Sequence, residues 1–120
     1  MGRTCAGTAR VSDNGAALIW CPFPDVESAK AAAQVLLEER LVACANIAPA
    51  MTSVFRYKDK VQSATEAGAL FKTTGALLDA AIERLAALHP YDTPAISGWH
   101  ADSAPQTTVG WLHDETVGGD

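Results

Sequence analysis

Residues 43–73 read ACANIAPAMTSVFRYKDKVQSATEAGALFKT, and their alternation decides the fold. From Met51 onward, Met51, Ser53, Phe55 and Tyr57 share one face of an extended chain, while Thr52, Val54 and Arg56 share the other. A period of two marks a strand. Cys44-Ala45-Asn46-Ile47 continues it upstream, and Pro49 sets a bulge or bend, because proline cannot donate to a ladder. Lys58-Asp59-Lys60 supplies a tight polar turn, and a return strand runs from Val61 to Thr73 with Gly68 as a second irregularity. Unbroken from Ala43 to Tyr57, the outgoing strand would be roughly 50 Å long at ~3.3 Å per residue. A compact domain of this length is only about 35 Å across. The hairpin must therefore bend sharply, or project and find a partner.

Working outward, Ala17-Leu18-Ile19-Trp20-Cys21 is a continuous apolar run of the kind buried on both faces, ended by Pro22 and Pro24. Asp25 is placed to cap a helix, with Glu27 in its first turn where the helix dipole favours negative charge. Val26, Ala29, Ala33, Leu36 and Leu37 give that helix an apolar stripe until it ends near Leu41. Beyond the hairpin, Thr74-Gly75 opens a second helix with Leu78, Ala81, Ile82, Leu85 and Leu88 inward. His89-Pro90 closes it, since a residue before proline is pushed out of the helical region. Tyr91-Asp92-Thr93-Pro94 is a turn, Ala95 to Trp99 a last strand, and Ser103-Ala104-Pro105-Gln106 has capping-box form before a short helix through Trp111-Leu112. Strand, helix, strand, strand, helix, strand is the ferredoxin-like α+β order, βαββαβ. Right-handed crossovers put both helices on one face of an antiparallel sheet. Residues 17–115 then form a single domain between a frayed tail, 1–16, and a loose C-terminus, 116–120. The other sheet face has nothing from this chain to cover it. Met51, Phe55 and Tyr57 are the large side chains there, and self-association is the remedy.

Composition excludes several classes of function. The chain is 48% hydrophobic and 19% charged, ample for a core, with a net charge of −5 and an isoelectric point near 5.0. No basic stripe offers a footprint for nucleic acid. No run approaches the ~20 apolar residues of a membrane span, and the first ten residues lack the apolar middle of a secretory signal. A soluble, cytoplasmic protein is expected. Cys5, Cys21 and Cys44 are odd in number and lack CxxC spacing, so neither a disulfide framework nor a structural zinc site follows. Cys21 and Cys44 read as small buried hydrophobes, Cys5 as exposed, and His100 and His113 as surface residues. No nucleophile elbow, phosphate loop or HExxH occurs, so an enzyme is not expected.

Ala43-Cys44-Ala45-Asn46-Ile47-x-Pro49, Ser53-x-Phe55-x-Tyr57-x-x-Lys60-Val61, Glu66, Lys72-Thr73 and Leu88-His89-Pro90-Tyr91-Asp92-x-Pro94, taken in order, closely resemble the CutA family of divalent-cation tolerance proteins. The resemblance spans about Ala17 to Leu112. It implies a ferredoxin-like fold, a homotrimer whose long hairpins pair between subunits, and an architecture like that of the PII signalling proteins. The chain departs from the family at Tyr57, often Trp; at Asp59, often Gly; at Ala95, usually Glu; and at Thr108, usually Tyr. Leu88-His89 stands where some members have His-His.

The resemblance also implies copper, or another divalent cation, with Cys21 and His89 at the positions of candidate ligands. Thiolate and imidazole suit copper, thiolate favouring Cu(I). A second constellation is read from the residues themselves: Lys72 at the end of a buried strand, with His89 and Tyr91 flanking the helix exit. A lysine, an imidazole and a phenol suit a small anion or polar metabolite in a cleft at a subunit boundary. That is the chemistry of a PII-like sensor, the alternative to a metal-responsive trimer.

Overall fold

The computed structural model describes residues 14–117. It orders β1 (Ala16–Phe23), α1 (Val26–Glu38), β2 (Cys44–Tyr57), β3 (Lys60–Thr74), a single 3-10 turn (Gly75–Leu77), α2 (Leu78–Leu88), β4 (Ser97–His100) and α3 (Gln106–Asp114). The four strands form one antiparallel sheet in the order β2-β3-β1-β4. This is the expected ferredoxin-like arrangement.

One sheet face carries the core. Ala17, Ile19, Cys21 and Phe23 of β1 and Ala69 and Phe71 of β3 are fully buried, and they cluster with Ala29, Ala33 and Leu36 of α1 and Leu78, Ala81 and Leu85 of α2. Both helices thus cover the same face, each through the stripe its sequence lays down at helical spacing. Asp25 caps α1, its carboxylate accepting the Ser28 N–H at 2.8 Å. The Ser28 backbone N–H, then the Ser28 hydroxyl, hold that carboxyl below its ordinary range. The helix ends at Glu38, before the Leu41 limit expected. Arg40 adopts φ 60, its N–H donating to Leu37 O and that of Leu41 to Leu36 O. That bond pair is a Schellman cap, here with arginine in place of the usual glycine.

Other local features differ from the sequence reading, each for a local reason. β1 continues through Pro22 to Phe23, opposite Gly68 and Ala67. β4 pairs only Ala17–Trp20, so a residue without an N–H sits at a free edge there. Gly68 itself is paired in register with both Pro22 and Ala48, and the irregularity lies in β2, between Ala48 and Met51. The capping box does not form: Pro105 is the N-cap of α3 and makes no side-chain cap bond. Pro105 keeps Ala104 out of the helical region, so Ser103 cannot start a helix. At the C-terminus, Thr116 is buried, its hydroxyl donating to Leu112 O at 2.8 Å, and the Val117 N–H donates to Arg40 O. The segment expected to be loose is therefore tied at its first two residues. Residues 118–120, and the expected tail apart from its last three residues, lie outside those described. So does Cys5. Ala16, the last of the tail, already belongs to β1.

The hairpin projects as its length requires. β1 pairs β3 only from Ala67 to Thr74, leaving the remainder of β3, Lys60–Glu66, to pair with β2 alone. Lys58 and Asp59 turn the chain with φ 51 and 66, the left-handed pair of a type I′ turn. The molecule measures 49 × 31 × 21 Å, with a radius of gyration of 15.7 Å, where a compact chain of this length would have ~13.6 Å.

Candidate functional site

The residues singled out from sequence divide between two sheet faces. Directly paired residues point to the same face. Cys21, opposite Ala69 and in line with Ile47, faces the helices. Lys72, opposite Leu18 and Cys44, faces away from them. Phe23, against which His89 packs, lies opposite Ala67, about 16 Å along β3 from Lys72 at ~3.3 Å per residue. Among the described residues of one chain, Lys72 is thus apart from His89 and Tyr91, and the three do not meet in one cleft. The parity of β3 carried this signal: Lys72 alternates with the buried Phe71 and Thr73.

Cys21 and His89 are brought together. Pro90 sets His89 extended, at φ −72 and ψ 140, just past α2. Its ring turns inward, 7% exposed, and stacks on Phe23 with centroids 4.4 Å apart. Its Nε2 lies 2.8 Å from the Pro22 carbonyl oxygen, and its Nδ1 lies 3.1 Å from the Tyr91 backbone nitrogen. An amide can only donate, so Nδ1 accepts; a carbonyl can only accept, so Nε2 carries the hydrogen. The ring is the neutral Nε2–H tautomer with both nitrogens engaged. The Cys21 thiol is fully buried and donates to the same Pro22 oxygen at 3.5 Å. Burial, and then the Glu66 carboxylate, push it up to about 12.

Tyr91 extends the cluster to the hairpin. Its ring lies 4.9 Å from that of His89, and its hydroxyl donates to Glu66 Oε2 at 2.7 Å. Burial first, then the bond to Glu66, push the phenol up to about 12. Glu66 pairs with Met51 at the first β3 position beyond the reach of β1. Sequence reading had not placed Glu66 in a site, because only the fold brings the loop after α2 over the hairpin base. Among the described residues, no group of three or more His, Cys, Asp or Glu side chains could hold a metal ion. His113 reaches Asn14 O at 3.1 Å. His100 departs from a surface role, as its Nδ1 is buried and unpartnered among the described residues.

The third set, Met51, Phe55 and Tyr57, lies on one face of the projecting strand. Phe55 and Tyr57 are 40% and 56% exposed, and Val54 and Val61 on the opposite face are each 69% exposed. Trp20, on the sheet face away from the helices, lies against Gly68: a Cβ there would sit 2.3 Å from its Cη2 and 3.1 Å from Met51 Sδ. The hairpin base therefore presents an indole, a thioether and open ladder edges together.

A family model described as CutA1 divalent ion tolerance protein matches residues 17–115. The divalent-cation tolerance protein CutA of Pyrococcus horikoshii is 37% identical over 99 residues, covering 82% of this chain and 96% of that protein. The protein CutA, chloroplastic, of Arabidopsis thaliana is 31% identical over 99 residues, covering 82% of this chain and 54% of that protein. The crystal structure of divalent ion tolerance protein CutA1 from Ehrlichia chaffeensis superimposes with a TM-score of 0.83 at 36% identity, covering 88% of this chain and 99% of that one.

Proposed function

This chain belongs to the CutA1 divalent ion tolerance family, and on that premise we propose that it acts in divalent-cation tolerance as a non-catalytic homotrimer assembled through its hairpins. The carrying observation is the outer hairpin, which pairs only with itself and leaves Phe55, Tyr57, Val54 and Val61 in water. Each such side chain contributes about 1.5–3 kcal/mol when fully buried. A second copy offers both the apolar cover and the strand edges. Cys21 and His89, the neighbouring thiol and imidazole, both donate to one carbonyl rather than to each other, so in this arrangement His89 does not act as a base on the sulfur. A cytoplasmic location belongs to the same proposal. Among the described residues, no helix is long and apolar enough to cross a membrane.

Copper at Cys21 and His89 is the finer reading. It needs a thiolate and a bare ring nitrogen. As folded, both ring nitrogens are hydrogen-bonded and the thiol donates to the Pro22 carbonyl, so an ion at this pair would have to displace those bonds and the thiol proton. Sedimentation equilibrium tests the assembly. The expected mass is three times the 12.6 kDa of the chain, and a folded monomer at micromolar concentration would remove the proposal. Cells deprived of the protein should tolerate less copper or zinc, with tolerance restored by the wild-type chain.

A further inference from the structure

We infer that Cys21 and His89 are the two donors of a clamp on the Pro22 carbonyl that fixes the His89–Tyr91 loop to the base of the hairpin, and that they are not the ligands of a divalent cation. β4 pairs β1 only as far as Trp20. Past that point no described strand pairs β1 on that side, and the half-buried Pro22 carbonyl takes its donors from side chains instead. The His89 Nε2–H supplies it at 2.8 Å, with the Cys21 thiol as a weaker second at 3.5 Å. The same ring accepts the Tyr91 N–H at 3.1 Å, which orders the peptide after Pro90 and aims the phenol at Glu66, 2.7 Å away. The stack on Phe23, 4.4 Å between centroids at 25°, holds the plane in which both ring bonds are made. Force therefore passes from the end of α2 through His89 to β1, and through Tyr91 to Glu66, where the hairpin leaves the body. A cation taken at either nitrogen would have to displace one of these bonds.

The test uses the whole metal-free protein, with variants compared in the oligomeric state the wild type shows. H89A removes both ring bonds. H89Q keeps an N–H at the reach of Nε2, and H89N keeps an acceptor near the place of Nδ1. Y91F severs only the bond to Glu66. Amide exchange is read at Glu66, Ala67, Gly68 and Met51, and calorimetry is run with Cu(II), Cu(I) and Zn(II). Exchange at the hairpin base should quicken by about tenfold in H89A, an opening no longer held back by the clamp. It should quicken by less in H89Q and H89N, and in Y91F at Glu66 alone. Cation affinity should be the same in wild type, H89A and C21S. If H89A does not fold, H89Q and H89N carry the comparison. Unchanged exchange in the His89 variants would overturn the inference. So would cation affinity that falls about tenfold or more in both a His89 variant and C21S. Neither result depends on whether the assembly is a trimer.

Discussion

Burial and the Glu66 carboxylate hold the Cys21 proton from an ordinary 9.0 up to about 12, and burial with the same carboxylate holds that of Tyr91 from 10.0 up to about 12. Both groups are neutral when protonated. Between those limits the folded chain keeps protons that the unfolded chain has lost, so stability falls as pH rises. The contribution is complete below about pH 9 and is lost progressively toward pH 12. Serine does not titrate there, so denaturant midpoints of C21S should decline less steeply than wild type between pH 9 and pH 11. Equal slopes would contradict the assigned burial. At this scale the sequence was legible where chemistry acts locally. Asp25 three residues before Ser28, and His89 directly before Pro90, announce a helix start and a helix stop. The partners of His89 and Tyr91 were not legible, since Pro22 reaches the first and Glu66 the second only through the register of β1 with β3. Lys72 stands apart from His89 and Tyr91 within one chain because it alternates with the buried Phe71 and so faces away from the helices.

Gly68 shows the same division at the level of elements. Sequence reading took it for an irregularity, yet it pairs in register and serves Trp20, whose ring lies where a side chain would project. Gly68→Ala forces an indole aside near a thioether, and overpacking of this kind costs about 1–3 kcal/mol. The variant should lose that much in denaturant unfolding and show altered tryptophan fluorescence. Adding Trp20→Ala should recover most of the alanine's penalty, giving a coupling well beyond additivity. Additive losses would mean that the strain lies elsewhere. Helix faces and the hairpin turn were readable because each follows from spacing or from a few polar residues. Helix α3 was readable in place but not in its cap, since Pro105 overrides the signal of Ser103. The cap at Arg40 carried no glycine to betray it.

For the whole molecule, the mismatch between strand length and domain width was the most informative signal, and it reappears as a long axis of 49 Å. The fold followed from element order. The surface proposed here for self-association follows from what that order leaves uncovered, while the number of copies does not. Phe55→Asp places a charge in the proposed contact, and an unpaired buried charge costs about 3–5 kcal/mol. Dissociation with partial unfolding is expected, seen as lower mass in sedimentation and reduced circular dichroism. An intact assembly would clear Phe55 of any part in the contact. One feature decides more than its size suggests. Between Ala48 and Met51, β2 carries one residue more than β3, with Ala50 at φ 54, and an extra residue bends and twists a strand. In the assembly proposed here, a hairpin edge that meets a different edge of the next copy makes a head-to-tail contact, and such contacts close into a ring only at certain rotations per copy. At any other rotation they run on into filaments. On that proposal the bend between Ala48 and Met51 contributes to the rotation, and with it to whether the assembly is a finite particle or a fibre.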